Sequence, residues 1–264
     1  MVKKMKNRYA AIIDHIFFSK YTKGDEEIPF EREDLVQAAE SLKISLPKNL
    51  GDVIYSIRYR TELPQSILKT QPEGKEWVIE GRGRSLYCFL LVTENRIVPN
   101  NQLAVIKVPD ATPEIVSSYS LSDEQALLSK VRYNRLLDMF LGLATYSLQN
   151  HLRTTVHGLG QVEIDEIYVG IDKQGAQFVL PVQAKGGSDQ LSVVQAKQDI
   201  ACCQEKFPNL LCRAISAQFM AEGLIALFEL ALEEGMVRIV EEKHYRLVSS
   251  DQIKAEDLQK YSKR

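Results

Sequence analysis

The stretch from Gly160 to Lys185 constrains this chain most. Two β-rich runs, GQVEIDEIYVGI and AQFVLPVQAK, flank the turn-forming cluster Asp172-Lys173-Gln174-Gly175. Side chains alternate faces along a strand, so Val162 and Ile164 share one face and Glu163 and Asp165 the other. In the second run Phe178, Leu180, Val182 and Ala184 share a face, which leaves Gln183 and Lys185 together on the opposite one. Paired as a hairpin, the runs gather a carboxylate, a carboxamide and an ammonium at one end of one face. Such groups on otherwise apolar strands cost free energy unless a partner, ligand or metal uses them. A structural Asp165–Lys185 ion pair at a solvated strand end is the plainer reading of the same residues.

The flanking pattern places this hairpin in a larger order. Ser122-Asp123-Glu124-Gln125 fits a capping box opening a long helix to about Asn150. Strand-like HLRTTVHG follows, with His157 read as a turn residue. Beyond the hairpin, Leu191, Val194, Ile200 and Cys203 recur at helical spacing, and NLLCRAISAQFM reads as a strand. The order predicted is α-β-β-β-α-β. A second Gln-Ala-Lys, at 195–197, falls on the helix, as a solvated face or a contact to DNA backbone. Next, GLIALFELALEEG reads as a helix, MVRIVEEKHYRLV as a hairpin, and DQIKAEDLQKYSKR as a charged helix.

The N-terminal part has a different pattern. Tyr9 to Phe18 and Glu31 to Ser41 read as amphipathic helices, the second with Leu35, Ala38, Ala39 and Leu42 on one face. Asn49 can cap a third, in which Leu50, Val53, Ile54 and Ile57 form the apolar side. Its other side carries Tyr55, Arg58 and Arg60. Two β-rich runs then flank Gly81-Arg82-Gly83-Arg84, a basic, glycine-rich hairpin tip. Three helices followed by a hairpin is the order of a winged helix-turn-helix, in which Tyr55, Arg58 and Arg60 would face a groove and Arg82 and Arg84 the phosphates. A small helical domain packing on its neighbour, with solvated arginines, is the other reading. The expected organisation is a winged-helix-like domain over 1–98, a Pro- and Ser-rich connector over 99–121, and a catalytic domain over 122–264 with a helix and hairpin extension.

Composition narrows the function classes. With 33 basic and 35 acidic residues the net charge is −2, so any nucleic-acid site must be a local patch. Cys88, Cys202, Cys203 and Cys212 form no metal-binding spacing and are expected to be reduced, mostly buried thiols, as suits the cytoplasm. Basic residues precede apolar ones at the N-terminus, but Asp14 and His15 interrupt the run, so no leader is expected. No segment reads as a membrane span, and the expectation is a soluble cytoplasmic protein.

EIDEIYVG, a turn, then FVLPVQAK, within an α-β-β-β-α-β order over about 122–228, resembles the PD-(D/E)XK nuclease superfamily, to which many restriction endonucleases belong. Asp165 matches the family's aspartate and Lys185 its lysine. Gln183 departs from the usual acid, and the Gln-x-Lys form is similar to the catalytic domains of Mrr-like, modification-dependent restriction endonucleases. The resemblance implies an α/β, restriction-endonuclease-like core behind the winged-helix-like domain. It implies that Asp165, Gln183 and the Ala184 carbonyl bind Mg²⁺, with Mn²⁺ as a substitute, and that Lys185 orients the attacking water. Glu163, or neighbouring Glu166, would restore the charge that Gln183 lacks. The implied partners are double-stranded DNA, a second copy of the chain and a cognate DNA methyltransferase, with no membrane. The alternative is a catalytically inactive DNA-binding regulator or structural module with a nuclease-like fold.

Overall fold

A computed structural model describes residues 8–59, 61–93, 96–119, 124–187 and 189–262. Ser122 and Asp123 of the expected capping box, and Arg60, lie outside the described residues. The chain divides into two compact units, one of residues 1–95 with 155–161, the other of 96–154 with 162–264.

In the first unit the order is α1 (Arg8–Lys20), β1 (Glu27–Glu31), α2 (Arg32–Leu42), α3 (Gly51–Tyr59), α4 (Gln65–Leu68), β2 (Glu76–Gly83) and β3 (Leu86–Val92). The strands form an antiparallel sheet in the order β1-β3-β2. Helix periodicity explains the core: Ile12, Ile13, Ile16 and Phe17 of α1, Leu35, Ala38 and Ala39 of α2, and Val53, Ile54 and Ile57 of α3 are buried against Trp77, Ile79 and Phe89. The Asn49 side chain accepts from the Gly51 N–H at 3.1 Å, so it opens α3 as its residue type favours. The hairpin differs from expectation. Its tip is Arg84-Ser85, while Gly81 and Gly83 lie in β2 across a register shift. Gly81 has a steric reason to lack a side chain, since a Cβ there would collide with the Leu159 carbonyl oxygen, which belongs to the same unit.

The second unit contains β4 (Val105–Pro109), α5 (Glu114–Tyr119), α6 (Glu124–Tyr133), α7 (Leu136–Leu141), β5 (Ala144–Val156), β6 (Gly160–Ile171), β7 (Gln177–Lys185), α8 (Val193–Lys206), β8 (Leu211–Cys212), β9 (Ala214–Phe219), β10 (Leu224–Glu233), β11 (Met236–Val248) and α9 (Ala255–Ser262), apart from the β5–β6 turn counted with the first. The sheet runs β4-β11-β10-β9-β7-β6-β5, with β8 beside β7. It is mixed: β6 and β7 are antiparallel, β7 and β9 parallel, and β9, β10 and β11 successively antiparallel. Leu180, Val182, Ala184, Ile215, Ala217, Ile225 and Leu227 pack against Leu127, Val131 and Phe140 of α6 and α7. Residues of opposite parity, Ala214, Ala226 and Phe228, pack against Ala196 and Ile200 of α8. The sheet is therefore covered on both faces. Among the described residues no helix is long and apolar enough to cross a membrane.

Four expectations need correction, the first being that MVRIVEEKHYRLV, expected as a hairpin, is the single strand β11, antiparallel to β10. The helix predicted over 122–150 is α6 and α7 followed by the first half of β5; Arg135 (φ 53°) and Gly142 (φ 67°) adopt left-handed conformations that break it. The segment 99–121 is no bare connector, because β4 pairs in parallel with β11 and α5 follows it. Residues 224–233 are strand β10, not a helix; buried on both faces, they lack the alternation that marks a half-exposed strand.

A part-buried ion pair braces this unit. Arg213 donates from Nε and Nη2 to the two Glu229 carboxylate oxygens at 2.6 Å each, and its Nη1 donates to the Leu141 carbonyl at 3.4 Å. Removing one member strands the other in a low-dielectric site. Arg213→Ala is expected to lower stability by about 2–3 kcal/mol, less than for a fully buried pair, whereas Arg213→Met with Glu229→Leu stays within about 1–2 kcal/mol of the native chain. Denaturant unfolding of the three proteins checks this, and an Arg213→Ala loss below about 1 kcal/mol contradicts it.

Candidate active site

The candidate site forms where the β6–β7 ladder stops. Backbone pairing runs from Ile171–Gln177 to Glu166–Val182 and no further. One step on, the same register would set Asp165 opposite Gln183, but there side chains replace the ladder. Asp165 Oδ2 accepts from the Ala184 backbone N–H at 2.9 Å, and Gln183 Nε2 donates to the Glu163 backbone carbonyl at 2.9 Å. The two residues that alternation placed on one face thus hold the parted strand ends together. Gln183 Nε2 also approaches Asp199 Oδ1 of α8 at 3.3 Å. Its carbonyl oxygen Oε1 is buried and has no hydrogen-bond partner.

Lys185, the last residue of β7, reaches to 3.7 Å from Glu124 Oε1 at the start of α6. Asp165, Gln183, Lys185 and Glu124 are thereby brought to one corner of the sheet. Burial raises the Asp165 carboxyl above its ordinary value, against the Ala184 N–H and the Lys185 charge, which lower it. Glu124 is raised by burial too; Lys185 opposes this, and the charges of Asp165 and Asp189 reinforce it. Asp199 is raised as well: its side chain is enclosed, the Gln183 amide opposes the shift, and the Asp165 charge adds to it.

The other expected residues are placed differently. The Glu163 side chain lies 3.2 Å from His151 Nε2, so its carboxylate is engaged by the edge strand, and it meets Gln183 through its backbone. Glu166 cannot restore charge at the corner. It is fully buried on the opposite face of β6, bound by Arg132 and by the Tyr168 hydroxyl at 2.9 Å. Ala184 contributes its N–H to the corner, while its side chain lies in the α6–α7 core. Gln195 and Lys197 lie on α8, whose N-cap is Ser192. The four cysteines are unpaired by disulfides.

On the first unit, Tyr55 is half-buried on α3, and the side chain of Arg58 lies outside the described residues. Arg84 is exposed at the hairpin tip. Arg82 is paired with Glu80 at 3.0 Å and Glu27 at 3.3 Å, so a phosphate would have to displace carboxylates to reach it.

Sequence reasoning missed Glu124 and Asp199 as members of the cluster. Glu124 was read only as a helix opener. Asp199 carried a signal: it lies three residues after Ala196 and four before Cys203, on the face of α8 that packs inward, where a lone acid demands a partner.

The residues fit a hard divalent cation. Among the described residues no group of three or more His, Cys, Asp and Glu side chains is placed to hold a metal. Mg²⁺, however, binds through one or two carboxylates and neutral oxygens while keeping several waters. Asp165, Glu124 and the orphaned Gln183 oxygen are donors of that type. No family of known proteins matches this chain, and none of the curated proteins or solved structures is significantly similar to it.

The raised Asp165 carboxyl has a signed consequence. Its protonated form is favoured by the metal-free fold, so its contribution to stability is complete below the ordinary aspartate value of 3.8 and is lost as pH rises through the raised value. Asp165→Asn keeps an acceptor for the Ala184 N–H. In metal-free buffer it should match the native chain at acid pH and become the more stable of the two toward neutrality. Urea unfolding across pH reads the difference; a native advantage that grows with pH contradicts the assignment.

Proposed function

We propose that this protein is a metal-dependent endonuclease of restriction type, hydrolysing phosphodiester bonds of double-stranded DNA at a specific sequence or modified site. The observation that carries this reading is the corner at the end of β6 and β7, where Asp165, an unpartnered Gln183 oxygen and Lys185 converge with Glu124. The succession α6-α7, β5, β6, β7, α8, β9, with β9 parallel to β7, supports a PD-(D/E)XK core. The order α1-β1-α2-α3-α4-β2-β3, in which α4 is a single turn, with sheet order β1-β3-β2 supports a winged helix, in which α3 would meet a groove and the β2–β3 hairpin the backbone.

Asp165, Gln183 Oε1 and the Ala184 carbonyl would hold Mg²⁺ or Mn²⁺, with Glu124 adding charge, and the ion would supply positive charge to the scissile phosphate and to a bound water. The chain's own groups do the positioning. Lys185 ends β7, still paired with Gln218 of β9, and its ammonium would stabilise the negative charge that builds on the phosphoryl oxygens and hold the attacking water. The Ala184 N–H fixes the orientation of the Asp165 carboxylate. A single corner addresses one strand, so cleavage of a duplex calls for a homodimer. A methyltransferase that protects the host site would be the matching partner.

One observation favours a second reading, a DNA-binding module without catalysis. Gln183 brings no charge where the family's usual residue is an acid, and Glu163 and Glu166 are engaged elsewhere. Such a module binds DNA in the absence of metal and cuts no substrate.

Incubation of the protein with methylated and unmethylated DNA plus Mg²⁺ or Mn²⁺ tests the proposal. Cleavage is expected, abolished by chelation and slowed by about 10²–10³-fold or more in Asp165→Ala and Lys185→Ala. Undiminished cleavage in both variants contradicts the assignment of the corner, and DNA binding without cleavage on any substrate supports the second reading.

A further inference from the structure

The Gln183 carboxamide has two N–H groups and one oxygen, and the surroundings treat its two ends differently. Nε2 faces two acceptors that cannot exchange roles with it, the Glu163 backbone carbonyl at 2.9 Å and Asp199 Oδ1 at 3.3 Å. Turning the amide over would set its oxygen against both, replacing two attractions with two repulsions. Oε1 is left buried without a partner, in a residue 1% exposed. Ser216, opposite Gln183 in the β7–β9 register and fully buried, also has a hydroxyl with no partner, so the neighbouring strand does not satisfy that oxygen. Asp199 itself is 2% exposed, on the face of α8 that packs against the sheet.

We propose that Asp199 is a positioning residue, which together with the Glu163 carbonyl engages Gln183 Nε2 and so leaves the Gln183 carbonyl oxygen as the open acceptor on the residue opposite Asp165. The inference rests on reading the corner at the end of β6 and β7 as a divalent-metal site. A carboxylate accepting from an amide N–H draws electron density toward the amide oxygen, which makes it a stronger ligand, as a carboxylate behind a metal-bound histidine does. Asp199 touches neither substrate nor metal in this account.

The test is Mn²⁺ binding to the metal-free, full-length protein, read by titration calorimetry and by the electron paramagnetic resonance of free Mn²⁺. Folding is checked by circular dichroism. Asp199→Ala is expected to weaken Mn²⁺ binding by about 10–100-fold. Asp199→Asn, whose amide oxygen still accepts from Gln183, should lose less. Gln183→Glu alone sets a carboxylate against both Asp199 and the Glu163 carbonyl, and weakens binding. Combined with Asp199→Asn, whose N–H₂ can donate to the introduced carboxylate, it should bind Mn²⁺ at least 10-fold more tightly than Gln183→Glu alone. Equal affinities for native protein and Asp199→Ala overturn the inference while leaving the metal site in place. Should Asp199→Ala fail to fold, a double variant no tighter than Gln183→Glu overturns it equally. A native protein that binds no Mn²⁺ overturns the metal-site reading first, and the inference with it.

Discussion

Where β6 and β7 part after the Glu166–Val182 pair, the sheet is held by side chains rather than by its backbone. Asp165 takes the Ala184 N–H and Gln183 takes the Glu163 carbonyl, so the two polar residues complete hydrogen bonds that the ladder has given up. A buried backbone group left unpaired costs about 1–3 kcal/mol, which makes these bonds a structural requirement as well as a chemical arrangement. Every other feature of the corner follows from the parting. Beyond it β7 stays paired with β9 alone and carries Lys185 to within 3.7 Å of Glu124, while the buried Gln183 oxygen has no hydrogen-bond partner.

The same geometry sets the electrostatics. The acids nearest in sequence are engaged, Glu163 with His151 and Glu166 with Arg132 and Tyr168. Besides the Glu163 charge felt by Asp165, carboxyl groups reach the corner from the two helices that cover the sheet, Glu124 from one face and Asp199 from the other. Burial raises all three carboxyls, Asp165 included, and the Lys185 charge opposes the rise in each. Charged groups gathered against their own solvation are the usual cost of a binding site built on a rigid scaffold.

How much was legible in the sequence follows the physics of each element. The strands β6 and β7 and the helix α8 declare themselves because one face of each is patterned, and the turn Asp172–Gly175 separates the strands. Asp165, Gln183 and Lys185 stand out as polar exceptions on that pattern. β10 was hidden, because its run LIALFELALE is rich in strong helix formers and buried on both faces, which erases the period of two. β5 was absorbed into the preceding helix because left-handed turns at Arg135 and Gly142 leave only the glycine as a signal. β1 and β4 are five residues each, and each carries a proline, so neither reads as a strand alone. Glu124 and Asp199 join the cluster through tertiary packing, which no local pattern encodes.

The central claim is that the parted strand ends form a seat for a divalent cation, and anomalous diffraction from crystals soaked in Mn²⁺ addresses it most directly. The account requires a peak in contact with the Asp165 carboxylate and Gln183 Oε1, with the Gln183 nitrogen still turned toward Asp199. A soaked crystal with no peak there, or with that amide reversed, contradicts it.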